Sequence, residues 1–537
     1  MVSPLLKSDA YKFSHMMLYP KGTQTVYETL TPRVNSFFPW SDKMTSFGYH
    51  LFFSRLDQDF KENFFDLPWA DVDAEVRPAV AESLGADNAD QIMVQFKALH
   101  DLNYLPLKVS ALPEGTLVPM QVPVMTIENT HPDFYWLPGY LETLLLSETF
   151  VTSTVTSMAR IFRSIGQKYA DLSADNDGYL DFQFHDFSQR GQHGNDAAML
   201  SGIAHLTSFK GTDIIQAPAE LRKHYRDGYD VFIGGSVLAT EHSVMESLGT
   251  DQFAAYRQLI EATPNGILSI VSDTYDYWEV VNKVLPELKD EILARDGKVV
   301  IRPDSDTMPV ELTNDSVVLT KNGWMNMSAA NDAKDLIVLP TGRVLTKDGL
   351  ADFNPDEYDE DVKMDAVSEL LLATMYSMAD TFGTTTNSKG YKVLDPHIGI
   401  LHGEGVTLDT VADYFDAITN AHFSAENVVF GVGAYVYSVL VSRDSFGQAL
   451  KATSVTINGV EKPVFKNPKT ASEGFKKSRK GRVQVIYDEN GDYMVRDGFT
   501  AETLPAFSLL RVIYNDGFRQ AINPSFTDLR QTIKDTL

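Results

Sequence analysis

The sequence contains no cysteine. Disulfide frameworks, thiolate zinc sites, iron–sulfur clusters and cysteine nucleophiles are therefore excluded together. Positive charge is scarce: 46 Lys and Arg stand against 73 Asp and Glu, a formal charge of −27. A nucleic-acid binder working through its global charge needs the opposite balance, because phosphate backbones attract positive faces. A local basic site for a small anion remains compatible with it. Long apolar runs are lacking too. The most apolar stretch, residues 428–441, is 14 residues long and holds two glycines, against the ~20 residues that span a bilayer. Met1-Val2-Ser3-Pro4-Leu5-Leu6-Lys7-Ser8-Asp9 meets charge before any apolar core, unlike a signal peptide. The expectation is a soluble cytoplasmic protein with no membrane and no nucleic-acid partner. Walker, HExxH, G-x-S-x-G and dinucleotide-fingerprint motifs are also missing.

What is present is globular. The chain has 537 residues, 43% hydrophobic and 11% aromatic, which at roughly 150 residues per domain gives two to four domains and rules out wholesale disorder. Residues 1–155 mix prolines, aromatics and short β-like runs at 106–109 and 122–125, and read as an α+β region with mostly antiparallel strands. From about residue 178 the rhythm changes. Apolar runs at 179–184, 214–215, 231–233, 267–271, 299–301, 398–401 and 428–430 alternate with amphipathic segments. Met199, Ile203 and Leu206 share one helical face, as do Tyr277, Val281 and Val284. Strand–helix alternation of this kind predicts parallel strands with crossover helices.

Most of these runs end in polar or small residues: His185-Asp186, Gly234-Gly235-Ser236, Ser272-Asp273, Arg302-Pro303-Asp304, His402-Gly403-Glu404 and Gly431-Val432-Gly433. In an α/β barrel the functional groups gather at the carboxyl ends of the strands. One such end is ordinary turn chemistry; a series of them predicts one ring-shaped site. Residues 306–363 interrupt the rhythm with hairpin punctuation and an acidic tract, and read as a surface insertion. Late in the chain, Lys476-Lys477-Ser478-Arg479-Lys480-Gly481-Arg482 reverses the overall charge locally. It suits either a solvated basic patch or an anion site. Asp213, Asp273, Asp304 and Glu404 could hold a hard cation or polarise a substrate, and Arg190, Arg302 and Arg443 could clamp phosphates. That combination fits a substrate carrying several phosphates together with Mg²⁺, which takes few protein ligands. The residues alone lead to a barrel enzyme acting on a phosphorylated small molecule.

The motifs resemble those of the nicotinamide phosphoribosyltransferase family. Ser8-Asp9-Ala10-Tyr11-Lys12 with His15 and Tyr19-Pro20 is similar to its amino-terminal signature, and His185-Asp186-Phe187-Ser188-Gln189-Arg190-Gly191 to its aromatic–arginine loop. Phe209-Lys210-Gly211-Thr212-Asp213, Glu241-His242-Ser243, Val271-Ser272-Asp273, Ile301-Arg302-Pro303-Asp304-Ser305, Asn387-Ser388-Lys389-Gly390-Tyr391-Lys392, Gly403-Glu404-Gly405 and the late basic run follow in the family's order. The likeness implies an irregular α/β barrel of the type II phosphoribosyltransferase kind over residues 178–444, with the insertion at about 306–363. An α+β domain built from residues 1–177 and 445–537 completes it. It implies synthesis of nicotinamide mononucleotide and pyrophosphate from nicotinamide and phosphoribosyl pyrophosphate, for NAD salvage, by a homodimer with two shared sites. The alternatives are nicotinate phosphoribosyltransferase and a catalytically silent relative serving as a binding protein.

Carried over by position, Phe187 and the partner subunit's Tyr11 stack on the pyridine ring, and Asp213 accepts from the carboxamide, with Ser269 a second polar contact. Arg190 and Arg302 hold ribose and phosphate groups, Gly403 and Glu404 meet the ribose, and Gly433, Ala434 and Arg443 bind the 5′-phosphate. Asp304 contacts the ribose hydroxyls or positions Mg²⁺, Asp273 lies near the metal or the pyrophosphate, and His242 is the histidine that ATP, as co-substrate, phosphorylates. The sequence departs from the family pattern in several places. Glu404 stands where Asp is usual, and Gly433-Ala434-Tyr435 replaces a triple glycine, with one extra residue before Arg443. Asp306 replaces a glycine, and the 306–363 insertion has no counterpart.

Overall fold

A computed structural model describes residues 2–303, 310–329, 336–339, 342–353, 366–466, 478–519 and 525–537. Both ends of the chain build one antiparallel sheet of seven strands. Its order is Val460–Pro463, Ala449–Ile457, Thr23–Thr31, Met125–Asn129, Leu107–Ala111, Arg511–Asn515 and Phe518–Arg519. Thr23–Thr31 is rich in β-branched and aromatic residues, which suit a pleated, half-buried surface. It pairs along its length with Ala449–Ile457, Thr31 opposite Ala449. The helix Glu142–Ser173 packs beside this sheet. Buried hydroxyls in it, Thr149, Ser153, Ser157 and Ser173, are satisfied by the carbonyl four residues back.

The middle of the chain forms the second sheet. Seven strands, all parallel, run in the order Gly211–Thr212, Phe184–Asp186, Val428–Val432, Ile398–His402, Asp296–Arg302, Asn265–Val271 and Leu238–Ala239. One further parallel bridge, Gly211 to Gly235, ties the first edge to the segment leading into the last strand, so the sheet curls towards an irregular barrel. Crossover helices Asn195–His205, Gln252–Ala262, Ala366–Phe382 and Val411–Asn420 lie between strands. The fold class is α/β. Met199, Ile203, Leu206, Tyr277, Val281 and Val284 are all buried, as their helical spacing predicts.

Within the insertion the described residues form a small antiparallel sheet, ordered Gly323–Asn326, Val317–Thr320, Arg343–Thr346 and Gly349–Asp352, with its own core of Val318, Leu336, Val344 and Ala351. The carboxyl-terminal helix Phe526–Lys534 plugs the opposite end of the parallel sheet from the strands' carboxyl ends. Arg530 Nε donates to the Leu206 carbonyl at 2.6 Å, and its Nη2 donates to the carbonyls of Phe209 and Ile233. Asp181 joins Arg163 of the long helix, Lys210 and Lys534 at 2.9, 2.9 and 3.0 Å.

Four of the expected strands lie elsewhere or begin later. Residues 178–181 are a 3₁₀ turn, and the strand is Phe184–Asp186; Leu180 is apolar because it packs on Gly166, not because it is extended. Ile214 and Ile215 follow the strand Gly211–Thr212 and lead into a helix. Residues 231–233 are irregular. Their carbonyls are taken by side chains, Val231 by Arg222 and Ile233 by Arg530, so Gly234-Gly235-Ser236 precedes the strand Leu238–Ala239 rather than ending one. The run at 122–125 becomes a strand only from Met125, past Pro123, which has no N–H to donate.

Candidate active site

Because the seven strands are parallel, their carboxyl ends share one end of the sheet, and that topology gathers the expected residues. Phe187 follows Phe184–Asp186, Asp213 follows Gly211–Thr212, and His242 lies three residues beyond Leu238–Ala239. Asp273 follows Asn265–Val271, Arg302 ends Asp296–Arg302, Gly403 and Glu404 follow Ile398–His402, and Gly433 and Ala434 follow Val428–Val432.

One group forms a cavity. Phe187, Arg190 and Asp213, with Gln189, Gln192 and Asn195, line a space of about 540 Å³. Phe187 is held by its backbone N–H on the Val432 carbonyl at 3.0 Å. Asp213 Oδ1 accepts from His185 Nε2 at 2.9 Å. Burial works to raise the Asp213 carboxyl, but hydrogen bonds from His185 and Ser236 and the charges of His185 and Arg302 outweigh it and hold the group below the usual carboxylate range. Asp213 is thus an ionised, acceptor-only group in the cavity wall. Beside it Asp186 is fully buried and pushed up to about 6, by burial first, against the opposing Ser188 hydrogen bonds.

A second group is laced across the adjacent strand ends. His242 Nδ1 meets Thr274 Oγ1 at 3.0 Å, which fixes the ring against the loop carrying Asp273. Arg302 Nη2 donates to the Thr240 carbonyl at 2.9 Å, and the Ser272 N–H donates to the Arg302 carbonyl at 2.9 Å. Ser269 is buried within its strand, and its Oγ has no hydrogen-bond partner among the described residues. A buried hydroxyl in that state costs about 1–3 kcal/mol unless something else bonds it.

The remaining loops touch the first group. A Cβ on Gly431 would lie 3.1 Å from the Phe187 ring and 3.2 Å from the Gly403 Cα, and one on Gly191 would strike the Ala434 methyl at 2.3 Å. Gly403 and Glu404 are exposed, Gly433 and Ala434 partly so. Ala434 caps a short π-type turn, Tyr435–Val439.

Three expected residues stand apart. Tyr11 is exposed and absent from the cavity wall, although its segment is anchored by Lys12 Nζ on Glu142 at 2.6 Å and Ser8 Oγ on the Tyr140 carbonyl at 2.8 Å. Arg443 is exposed and pairs with Asp444 at 3.0 Å; its charge is felt at Arg33, whose guanidinium is lowered by burial and then by Arg443. Asp304 lies outside the described residues. The structure adds residues to which the sequence assigned no role: His185, Ser236, Thr240, Thr274 and Arg33. His185 sits inside a motif, yet its contact with Asp213 depends on how two strands lie side by side. Among the described residues no cluster of three or more His, Asp or Glu side chains could hold a metal by itself, and no helix is long and apolar enough to cross a membrane.

A profile of the nicotinate phosphoribosyltransferase (NAPRTase) family matches residues 182–517. The chain belongs to that family. The matched span includes every strand of the parallel sheet and all the expected site residues except Tyr11. A protein of Acinetobacter baylyi named nicotinamide phosphoribosyltransferase is 35% identical over 504 residues, 91% of this chain and 89% of its own. One of the same name from Xanthomonas campestris is 29% identical, covering 91% and 89%. Among solved structures, the nicotinate-nucleotide pyrophosphorylase of Pyrococcus furiosus superposes with a TM-score of 0.53 at 14% identity, over 99% of this chain and 95% of that one. Human nicotinic acid phosphoribosyltransferase superposes with 0.51 at 15% identity, over 98% and 93%. These two likenesses concern the fold, a type II phosphoribosyltransferase arrangement.

Proposed function

We propose that this chain is a nicotinamide phosphoribosyltransferase, making nicotinamide mononucleotide and pyrophosphate from nicotinamide and phosphoribosyl pyrophosphate in NAD biosynthesis. The observation that carries the reading is the ionised Asp213 carboxylate in a cavity walled by Phe187 and Arg190. Phe187 offers a face for a flat pyridine ring. Asp213 can accept from a carboxamide NH₂ but cannot donate to a carboxylate. The names of the relatives at 35% and 29% identity agree with this choice.

The pyridine nitrogen attacks the anomeric carbon, the C–N bond forms as the C–O bond to pyrophosphate breaks, and the electron pair leaves with pyrophosphate. The nucleophile carries no proton, so no general base is needed. This chain's residues supply positioning and charge. Phe187 orients the ring, Asp213 its substituent, and Arg190 and Arg302 neutralise the phosphates. Gly403 and Glu404 meet the ribose, and Gly433, Ala434 and Arg443 take the 5′-phosphate, with Arg33 beside Arg443. Asp273 is the described carboxylate that would hold Mg²⁺. One or two carboxylates with pyrophosphate and water suit that ion, whose charge would stabilise the leaving group. His242, fixed by Thr274, is the site for phosphorylation by ATP. Because Tyr11 is exposed away from the cavity, it serves the second subunit of a homodimer.

The test is mononucleotide formation with nicotinamide and nicotinate offered separately, with and without ATP. Turnover of nicotinate in preference to nicotinamide would replace this reading with the activity for which the family is named. The shared site has its own test. Mixed Tyr11→Ala and Asp213→Ala subunits, each nearly silent at nicotinamide concentrations far below its own raised KM, should regain up to about a quarter of wild-type activity there through hybrid dimers. No recovery after proven subunit exchange would show that each subunit completes its own site.

A further inference from the structure

The recognition groups at the cavity are not independent of one another. His185 lies on the strand Phe184–Asp186, two residues before Phe187 just past its end, and it pairs in register with Gly211, two residues before Asp213 just past the end of the next strand. With a period of two, His185, Phe187 and Asp213 all face the same side of the sheet. His185 is buried, and it is the group that touches both others. Its Nε2 lies 2.9 Å from Asp213 Oδ1, and its ring lies 4.5 Å from the Phe187 ring at 33°. An ionised carboxylate only accepts, so Nε2 carries the hydrogen.

The two residues paired with His185 are both glycine, Gly211 on one side and Gly431 on the other. In parallel register their side chains would rise on the face that His185 occupies. A Cβ at 211 would lie 2.8 Å from His185 Nδ1, and one at 431 would lie 3.1 Å from Phe187. The two glycines therefore leave the space that the His185 and Phe187 rings occupy.

We propose that His185 is a positioning residue for substrate recognition: it fixes one oxygen of Asp213 so that the other is presented to the ring substituent, and it props Phe187 at the angle that receives the ring. This rests on the reading of Asp213 as the carboxamide acceptor. It assigns to His185 an effect on binding the nicotinamide rather than on the bond-making step.

The experiment separates the two ring functions. His185→Phe keeps a ring under Phe187 and removes the donor; His185→Gln keeps a donor near Nε2 and removes the ring. In His185→Phe the KM for nicotinamide should rise about 10- to 100-fold, the loss of a hydrogen bond to a charged group, with kcat changed less than threefold. His185→Gln should recover most of that rise. In an Asp213→Ala background, adding His185→Phe should cost little more, because the two act as a unit. If Asp213→Ala raises KM but His185→Phe does not, or if His185→Phe costs the same with and without Asp213, the inference is overturned and the Asp213 reading stands. If Asp213→Ala leaves the nicotinamide KM unchanged, the Asp213 reading fails and this inference with it. Should His185→Phe not fold, Gly211→Ala carries the test by crowding His185 from the neighbouring strand. It should raise the same KM several-fold, and an unchanged KM would overturn the inference.

Discussion

At the scale of single residues, two carboxylates sit at the ends of neighbouring strands, and their environments set their roles. Asp213 is held ionised by hydrogen bonds and positive charge. Against nicotinate it would place two negative charges together, roughly 4 kcal/mol at ~4 Å and an effective dielectric of ~20. Asp213 is half-exposed, so screening reduces the discrimination to about ten- to a hundredfold in affinity. Asp213→Ser removes the repulsion and supplies a hydroxyl donor, so the ratio of kcat/KM for nicotinamide over nicotinate should fall by at least tenfold. An unchanged ratio would show that selectivity lies elsewhere. Asp186 is the opposite case. Its folded carboxyl is raised to about 6 from an ordinary 3.8, by burial. A raised acid favours the protonated folded state, so its contribution is fully present below pH 3.8 and is lost as pH rises through about 6. Asp186→Asn keeps an acceptor for the Ser188 N–H and cannot ionise. Its melting temperature relative to wild type should therefore climb between pH 4 and pH 7 and then level off, which a scan series across that range checks.

At the scale of elements, glycine on a strand makes room for a neighbour's side chain. Gly431→Val should push Phe187 out of line and raise the nicotinamide KM several-fold, while circular dichroism stays that of the wild type. The same scale explains what could be read in advance. The strands around 267–271, 299–301, 398–401 and 428–430 were legible because a parallel strand covered on both faces is a continuous apolar, β-branched run. The segments 179–184 and 231–233 look the same in sequence. Yet Leu180 is buried in a turn, and the carbonyls of Val231 and Ile233 are committed to Arg222 and Arg530. Side-chain contacts from outside the segment decide between the two outcomes. The site divides in the same way. Phe187, Asp213, His242, Asp273 and Arg302 were visible as motif positions at strand ends. The His185–Asp213 contact was not, because lateral register between strands leaves no mark in either segment.

At the scale of the molecule, the two sheets are joined through charge placed inside. Asp181 gathers Arg163, Lys210 and Lys534, and those three hold it below the usual carboxylate range although burial alone would raise it. Arg163 is itself buried. Asp181→Asn leaves that guanidinium without its carboxylate, a loss of about 1–3 kcal/mol, because Asp181 is only partly buried and solvent screens it. A lowered melting temperature at pH 7 should follow, and the difference from wild type should shrink as acid protonates Asp181 in the natural chain. Equal melting at neutral pH would mean that the hub contributes nothing net.

The pairing of Thr31 with Ala449 has a consequence for how the protein comes into being. Translation at about 5–20 residues per second puts roughly 20 to 80 seconds between the appearance of these two strands. For that time Thr23–Thr31, paired on one side with the early-made Met125–Asn129, keeps its other edge open, the kind of surface on which nascent chains join one another. The parallel strands, all made in the interval, can assemble first, but their lower end stays open until Arg530 has left the ribosome. The antiparallel sheet is therefore closed late, and the edge of its first-made strand stays open to other copies until Ala449–Ile457 arrives to cover it.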